Sequence, residues 1–552
     1  MSASGHTPRS RFSYWLPLVP VAIVFAIAAG WRMSLPGLYM DAVDPDYLVV
    51  RILNSSGYEV PAWILPGNYL GERFPILTSL YHSTLQLWLS LPGFLLFGTS
   101  LVGLRTIHAL FGFAIIWSMY AVLNDREISH AWAAAACAAL AVDPAFVYSF
   151  RTQNQLSTVP VLWIFLSVLQ IDRAMLGPQD SCARHLRLSG FFFGLAVVGY
   201  FTFLFFLPAV VGALFTWHQR DNSVSRPGVL RLSTHWVTGL CCGLSFYIVG
   251  YVLLAVSQGG LGGLFTYISA MQSRLGAFAS QLTLMERVGF AWHQIVAVFS
   301  NSWNSALMFG DFTPVPAAPL KLAILLILPV ALWVVSEYRN IASRLLRLLL
   351  ALQLSFFTIS LIFGSRLGGH HYVCLLPLSY AALIVGLDCM IRDPTAVPAS
   401  RSLWMASSVV VLASLIAINV AGDRQMTAKL GETHGVGLYS DAINHFAEDL
   451  LQSKRDHFLI LPDWGLYMPI AFLTGANIQI STDEDISAAK HFLCHKRNVS
   501  VALISGDRAA RFSGWQQRLA WKAPIVEDYR QFHGKVVFQV GTFVADSASC
   551  VQ

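Results

Sequence analysis

The chain has 552 residues, of which 55% are hydrophobic and only 12% are charged. Soluble domains carry about 25% charged residues, so this composition excludes an ordinary soluble enzyme, and the 13% of aromatic residues exclude a disordered chain. The formal net charge of +6 does not indicate nucleic-acid binding, because the basic residues are scattered between apolar runs, as in membrane-protein loops. The composition predicts an α-helical polytopic membrane protein with no nucleic-acid partner.

Apolar runs long enough to cross about 30 Å of hydrocarbon recur over residues 1–420. The first, 14–31, is interpreted as a retained helix, and the run 188–217 is long enough for two crossings that turn near Gly199. The other predicted spans are 101–122, 131–150, 157–175, 235–257, 317–336, 346–364, 372–391 and 403–420. Together they predict about eleven spans.

The distribution of arginine orients these spans. Every second loop is rich in arginine, which fits a cytoplasmic N-terminus carrying Arg9 and Arg11. The long insertions 32–100 and 258–316 then lie on the outer side, as does the C-terminus. Counting 81–98 as a further span would put the arginine-rich loops outside, so we predict that it is a helix lying at the outer interface.

Residues 421–552 are predicted to form a small soluble, extracytoplasmic α/β domain. From Gly435 the composition turns polar, and predicted helices (440–452, 464–474, 486–495 and 508–519) alternate with predicted strands (457–461, 478–480, 499–505, 525–530 and 536–540). No glycine-rich phosphate loop follows any of these strands, so a lid or docking role is favoured over nucleotide binding. Cys494 and Cys550 can pair only if this tail faces an oxidising compartment, which the sequence leaves open.

Three carboxylates, Asp41, Asp44 and Asp46, follow the first predicted span within six residues. Pro45 suits the first position of a helix, which makes Asp44 its N-cap and places Asp46 in the first turn. Asp41 has no such structural explanation. A carboxylate close to the membrane surface needs a positive partner, a metal or a proton-accepting role.

Several polar and cationic residues are predicted to lie at the same membrane face. Each one alone is typical of an interfacial anchor, but together with the aspartates they indicate a site for an anionic, lipid-linked group. These candidate binding residues are Tyr81, His82, Arg151, Asn154, Arg274, Arg366, His370, His371 and Tyr372. Asp143, inside a predicted span and followed by Pro144, is either a further acidic site residue or a helix irregularity.

Two segments carry a family resemblance: Phe97-Gly98-Thr99-Ser100-Leu101-Val102-Gly103-Leu104-Arg105, after an acidic loop and a Tyr-His pair, and His370-His371-Tyr372-Val373-Cys374-Leu375-Leu376-Pro377. In this order they resemble the GT-C-type integral-membrane glycosyltransferases, which include the protein O-mannosyltransferases and the aminoarabinose transferase of lipid A. The resemblance covers roughly residues 10–420. It implies transfer of a sugar from a polyprenyl-phosphate-linked donor to an acceptor lipid, glycan or protein at the outer face of a bacterial inner membrane, with inversion.

The resemblance also implies that an aspartate of the first outer loop is the base. We assign this role first to Asp41, with Asp46 as its companion, because capping already accounts for Asp44. The family's usual Asp-Glu pair is absent, since Ala42 follows Asp41, so all three aspartates remain candidates. Arg151, Arg274, Arg366 and His370 are candidates to stabilise the leaving phosphate.

The cofactor and the function class both leave alternatives. Three close carboxylates would also suit Mg²⁺ or Mn²⁺. A lipid or glycan transporter or flippase and a non-catalytic membrane scaffold are the competing functions. Against a transporter, no pair of broken spans recurs in two matching halves, and the acidic residues lie in a loop instead of at mid-membrane.

Overall fold

A computed structural model describes residues 15–54, 65–70, 74–126, 128–176, 179–220, 229–275, 282–341, 343–453, 457–475 and 477–546. Arg9 and Arg11 lie outside these ranges. The α-helices up to residue 433 are α1 (Leu18–Gly30), α2 (Val49–Asn54), α3 (Leu85–Phe97), α4 (Leu101–Asp125), α5 (His130–Ala141), α6 (Pro144–Val147), α7 (Gln155–Thr158), α8 (Val161–Leu176), α9 (Gln179–Gly199), α10 (Leu207–Arg220), α11 (Val229–Gly243), α12 (Ser245–Ser257), α13 (Leu261–Leu275), α14 (Leu284–Phe299), α15 (Ser302–Phe309), α16 (Ala318–Leu322), α17 (Leu328–Tyr338), α18 (Arg344–Phe363), α19 (Leu375–Ile391) and α20 (Pro398–Thr433).

The helices confirm a predominantly helical membrane protein. Within the described ranges, 5 helical stretches are long and apolar enough to cross a membrane, or up to 7 when each bent pair counts as one span. The 5 are Leu101–Asp125, Gln155–Met175, Ala318–Tyr338, Arg344–Arg366 and Pro398–Thr433. Shorter apolar helices include Leu18–Gly30 and Leu375–Ile391. The number of spans therefore stays a prediction.

The breaks between helices have local causes. The predicted turn in the run 188–217 is confirmed: α9 ends at Gly199, Tyr200 is extended, and a 3-10 helix, Phe201–Phe206, leads into α10. Two spans predicted to be continuous are instead bent, by 64° between α5 and Pro144–Arg151 and by 59° between Ser233–Gly243 and α12. At the first bend, Pro144 has no N–H to donate to a continuing helix, and the Asp143 side chain accepts a hydrogen bond from the N–H of Ala145 at 2.8 Å.

Asp143 is a structural residue at this bend. Its carboxylate is fully buried and lies 2.7 Å from Lys321 Nζ, which is equally buried, while the Tyr380 hydroxyl donates to its other oxygen at 2.7 Å. Asn419 Nδ2 in turn donates to the Tyr380 hydroxyl at 2.7 Å. The charge of Asp143 thus joins the start of α6 to α16, α19 and α20, and the helix-irregularity interpretation is the correct one.

The stretch predicted as an interfacial helix over 81–98 begins later than expected. Two short strands, β3 (Leu77–Ser79) and β4 (His82–Ser83), pair antiparallel before the helix α3 begins at Leu85. A second small hairpin joins β1 (Tyr69–Leu70) and β2 (Phe74–Pro75). Tyr81 and His82 therefore belong to the hairpin of β3 and β4 and not to the helix, and the His82 side chain is buried.

The tail has the predicted alternation of strands and helices. Its elements are α21 (Ala442–Ser453), β5 (Phe458–Ile460), α22 (Tyr467–Leu473), β6 (Gln479–Ser481), α23 (Ile486–Cys494), β7 (Val499–Leu503), α24 (Arg508–Leu519), β8 (Ile525–Arg530) and β9 (Val536–Phe543). They form one sheet of order β6-β5-β7-β9-β8, parallel across the first three strands and antiparallel across the last three. The predicted boundary at 421 falls inside α20, which continues without interruption to Thr433.

The tail shares a hydrophobic core with the first loop, which follows α1 and carries the three aspartates. Tyr47 of the loop packs edge-on against Tyr467, with ring centroids 6.3 Å apart, and Phe94 of α3 packs against Phe472 at 5.8 Å. The domain is therefore fixed against the acidic loop. In the tail, Cys494 takes part in a disulfide, and Cys550 lies outside the described residues.

Candidate active site

Two buried arginines fix the path of the first loop. The Arg105 guanidinium donates to the carbonyls of Met33 at 2.7 Å and Pro36 at 2.5 Å. Arg151 donates to Ala29, Trp31 and Leu35 at 2.5–3.1 Å, which satisfies carbonyls left without partners at the end of α1. The prediction that Arg151 stabilises a leaving phosphate is not supported by this geometry, because its donors are directed at the backbone.

Asp44 is paired with His82. The Asp44 carboxylate lies 3.1 Å from His82 Nδ1, and the imidazole is almost fully buried. The helical turn that follows, Asp46–Leu48, is a 3-10 helix flanked by Pro45 and has no side-chain cap. The predicted N-cap role of Asp44 is therefore wrong, because the buried histidine on β4 holds the carboxylate instead.

Asp46 is buried beneath the loop. Its carboxylate is 0% exposed and lies 2.8 Å from His108 Nε2. Gln86 Nε2 donates to the same oxygen at 2.8 Å, and to Gln155 Oε1 at 2.6 Å. A carboxylate enclosed in this way holds α3, α4 and the loop together and is poorly placed to reach an acceptor. Sequence reasoning missed His108, although the polar pair at positions 105 and 108 on one face of an apolar helix was a usable signal.

Asp41 differs from its two neighbours. Its side chain is only partly buried, and no side chain in the described ranges hydrogen-bonds or ion-pairs with the carboxylate. Burial raises the pKa of Asp41 to about 6; the charge of Asp44 adds to the rise, and His82 opposes it. Asp41 is thus a carboxylate with free acceptor oxygens whose pKa lies close to neutral pH.

The segment 153–157 connects the aspartates to the His-His element. Gln155 Nε2 donates to the backbone carbonyls of Asp41 at 3.3 Å and Asp44 at 2.8 Å. Gln153 Nε2 lies 3.4 Å from His370 Nδ1, and Ser157 Oγ donates to the His370 carbonyl. The structure therefore brings the first loop and the ends of two distant helices to one place.

The two histidines are neutral. Burial lowers the pKa of His371 to about 4, and burial together with the neighbouring His371 lowers the pKa of His370 below its usual range. His371 Nδ1 lies 3.1 Å from the Gly368 carbonyl, and its Nε2 lies 3.1 Å from the Tyr200 hydroxyl. His370, which the sequence predicts as a candidate to stabilise the leaving phosphate, is an uncharged hydrogen-bonding group in the structure.

Tyrosines close the space between these groups. Tyr81 is 39% exposed, and burial together with the charges of Asp41 and Asp44 raises its pKa to about 12, which keeps its hydroxyl protonated. Tyr200 packs edge-on against both Tyr81 and His82, with ring centroids 6.5 and 5.9 Å apart. Sequence reasoning predicted the turn that contains Tyr200, but it did not identify Tyr200 as a site residue, because its contacts with Tyr81 and His82 depend on how distant segments pack.

The remaining predicted binding residues have different positions. Asn154 is fully buried and bonded to Asn304 and Trp303 at 2.6 and 3.1 Å. Tyr372 is fully buried, and its hydroxyl donates to Ser360 at 3.2 Å; neither side chain faces the site. Arg366 is exposed, and no partner for it lies in the described part of the chain. Arg274 belongs to α13, but its side chain lies outside the description.

The aspartates do not form a metal centre in this arrangement. Among the described residues, no group of three or more His, Cys, Asp or Glu side chains is placed to hold a metal ion. Asp44 and Asp46 face separate histidines, so the three carboxylates do not converge. The predicted Mg²⁺ or Mn²⁺ remains a prediction without support from these residues.

Comparisons with known proteins identify the fold. Residues 81–246 match the family described as dolichyl-phosphate-mannose-protein mannosyltransferase. None of the curated proteins matches the chain in sequence. The crystal structure of ArnT from Cupriavidus metallidurans bound to undecaprenyl phosphate is similar over 98% of this chain and 99% of its own, with a TM-score of 0.62 and 14% identity. The apo state of ArnT is similar over 97% and 99%, with a TM-score of 0.60 and 13% identity.

The matched family segment contains the Tyr81-His82 pair, α3 and α4, and thus the residues that carried the resemblance in the N-terminal half. The similarity to ArnT extends over the membrane helices and the α/β tail together. The resemblance is confirmed to this extent: the chain is similar to the mannosyltransferase family over residues 81–246, and its membrane helices and tail share the fold of ArnT.

Proposed function

We propose that this protein transfers a sugar from a polyprenyl-phosphate-linked donor to a hydroxyl or amine of an acceptor lipid, glycan or protein. The reaction takes place at the outer face of a bacterial inner membrane, with the N-terminus cytoplasmic and the tail outside. The observation that carries this proposal is Asp41, a partly exposed carboxylate with a pKa of about 6 beside two buried His–Asp pairs.

Asp41 acts as the general base. The acceptor hydroxyl gives its proton to the Asp41 carboxylate while its oxygen attacks the anomeric carbon, and the phosphate leaves with the electron pair of the glycosidic bond. A single displacement of this kind inverts the anomeric centre. A base with a pKa near the working pH is ionised, yet still basic enough to draw the proton.

The neutral His370 supports the leaving phosphate. With Nδ1 accepting from the Gln153 amide at 3.4 Å, its proton resides on Nε2, which leaves one N–H to donate. The exposed Arg366 lies four residues before His370, just after the end of α18, and it supplies the positive charge. Hydrogen bonds to a charged oxygen are roughly twice as strong as neutral ones, so both groups act mainly on the developing phosphate charge.

The lipid-linked donor is supported by the fold. The ArnT structure with this fold is bound to undecaprenyl phosphate, and apolar helices surround the site here. A polyprenyl chain lying between helices would bring its phosphate to the ends of α1 and α18, where the carboxylate loop and the His-His element meet.

The decisive experiment assays purified protein against a panel of polyprenyl-phosphate sugars, with wild type, Asp41→Asn and, as a control, the exposed tail variant Asp483→Asn. We expect Asp41→Asn to lose at least about 100-fold in kcat, the usual effect of removing a general base, with an unchanged amount of folded protein. Asp483→Asn should retain full activity. Full activity of Asp41→Asn would remove this residue from the mechanism, and no transfer by wild type from any donor would favour a transporter or a scaffold.

A further inference from the structure

A cavity lies at the opposite end of the helix bundle from Asp41. It has a volume of about 370 Å³ and lies between α8, α10 and the first half of α18. Because α18 has 20 residues, its ends are about 30 Å apart, which separates this cavity from the site at the far end. Its apolar lining residues are Ile171, Met175, Pro208, Ala209, Ala213, Leu345, Leu348 and Ala351.

The rim of the cavity is cationic. Arg126, Arg344 and Arg347 line it, against a single carboxylate, Asp172. Arg126 pairs with Asp172. Arg347 pairs with Glu337, which is not a lining residue: the Arg347 Nη2 donates to the Glu337 carboxylate at 2.8 Å. Arg344 is exposed, and the described residues offer it neither a hydrogen bond nor an ion pair.

The arginines are also close enough to repel one another. Burial, and secondly the charge of Arg344, lower the pKa of Arg126 to about 10, so the Arg126 guanidinium remains charged at neutral pH. An anion at the rim would relieve this repulsion and give Arg344 a partner. The walls behind the rim are apolar and belong to helices that are apolar enough to face hydrocarbon.

We propose that this cavity binds a membrane phospholipid with an anionic headgroup, whose phosphodiester pairs with Arg344 and Arg126 and whose acyl chain enters the apolar interior. A free phosphate would satisfy the rim but leave the interior empty, so the combination of charge and apolar wall fits an amphiphile. This inference does not depend on the proposed transferase activity.

Gly212 offers a test that leaves the charges untouched. It lines the cavity, and a Cβ at this position would meet no atom within 4 Å. Gly212→Leu therefore adds an apolar side chain to the cavity from a position where the Cβ itself meets no atom, while Arg344→Gln removes the headgroup contact. Arg401→Gln, an exposed arginine at the start of α20 on the same end of the bundle, is the matched charge control.

Purified full-length protein is titrated in detergent with dioleoylphosphatidylglycerol, dioleoylphosphatidylcholine or inorganic phosphate, and thermal unfolding is followed. We expect only phosphatidylglycerol to raise Tm. Its apparent affinity should fall at least fivefold in Arg344→Gln and Gly212→Leu, and stay within twofold of wild type in Arg401→Gln. Native mass spectrometry of the same samples counts the lipids retained.

Three results would overturn the proposal. An equal shift with phosphatidylcholine would show that the headgroup charge is not recognised. An equal shift with phosphate would identify a simple anion site, and an unchanged affinity in Gly212→Leu would show that no acyl chain enters. Where Arg344→Gln fails to fold, the Gly212→Leu result decides.

Discussion

The raised pKa of Asp41 makes its charge a cost to the folded state. An unfolded aspartate titrates near 3.9, whereas Asp41 titrates at about 6 in the folded protein. Between these values the folded chain binds the proton more tightly, so stability falls as the pH rises through this window. Above pH 6 the protein carries the whole penalty, since the partly buried carboxylate is then ionised without a partner.

Asp41→Asn should therefore be more stable than wild type at pH 8, by about 1 kcal/mol or more, and equally stable near pH 4. Thermal unfolding of both proteins in detergent at the two pH values measures this difference. Asp483→Asn, which removes an exposed carboxylate, should be as stable as wild type at both pH values. Lower stability of Asp41→Asn at pH 8 would mean that the carboxylate has a stabilising partner.

Arg151 and Arg366 provide a contrast between structure and binding. Lysine cannot reproduce the fork by which Arg151 reaches several carbonyls of the first loop, so we expect Arg151→Lys to cost about 2 kcal/mol of stability without raising KM for the donor. Arg366→Gln should do the reverse, raising KM at unchanged Tm. A large rise of KM in Arg151→Lys at full stability would return this residue to the phosphate site.

At the scale of elements, one buried ion pair joins the bend at Pro144 to a neighbouring helix. Asp143→Asn leaves the Lys321 ammonium without its counter-charge in the helix bundle, and breaking a buried pair in this way typically costs about 3–5 kcal/mol. The double variant Asp143→Asn with Lys321→Met removes both charges and should recover most of the loss. The yield and Tm of the three proteins test this, and a double variant as unstable as the single one would contradict it.

Elements with local signals were predictable from the sequence. The alternation in the tail, the strand Ile525–Arg530 and the helix break after Gly199 all follow from short-range patterns of polarity and turn residues. The bend after Ser233–Gly243 was not predictable, because its sequence is as apolar as that of a straight span. Nor were the partners of Arg151, since they depend on how distant helices pack.

The candidate site shows the same limit. The aspartate cluster and the His-His element could be identified as chemistry-bearing residues, and the topology placed them at one face. The sequence did not show that two of the three aspartates would be held by His82 and His108. These pairings join residues 38 and 62 positions apart, and no periodic pattern encodes such contacts.

At the scale of the whole molecule, the tail packs directly against the loop that carries Asp41. Gly465 has φ +121°, and a Cβ there would lie 2.7 Å from the Tyr39 ring, two residues before Asp41. Gly465→Ala should therefore displace the loop and reduce kcat/KM at least tenfold. Gly260→Ala, with a similar φ of +115° and no atom within 4 Å, introduces comparable backbone strain without the clash.

The transfer assay together with thermal unfolding separates these two effects. Gly260→Ala should stay within twofold of wild-type activity, while both variants lose similar stability from the strained backbone. Equal activity of the two variants would show that the contact between the tail and the loop does not position Asp41.

The continuity of α20 has a mechanical consequence. Its 36 residues extend about 54 Å, well beyond the roughly 30 Å of a hydrocarbon core. The tail is therefore joined to the membrane helices by a continuous helix and not by a flexible linker. Inserting a single residue into the exposed part of α20 would rotate the tail about the helix axis by about 100° and shift it along the axis by about 1.5 Å. The length of α20 thus sets the distance and the orientation at which the tail meets the loop that it packs against.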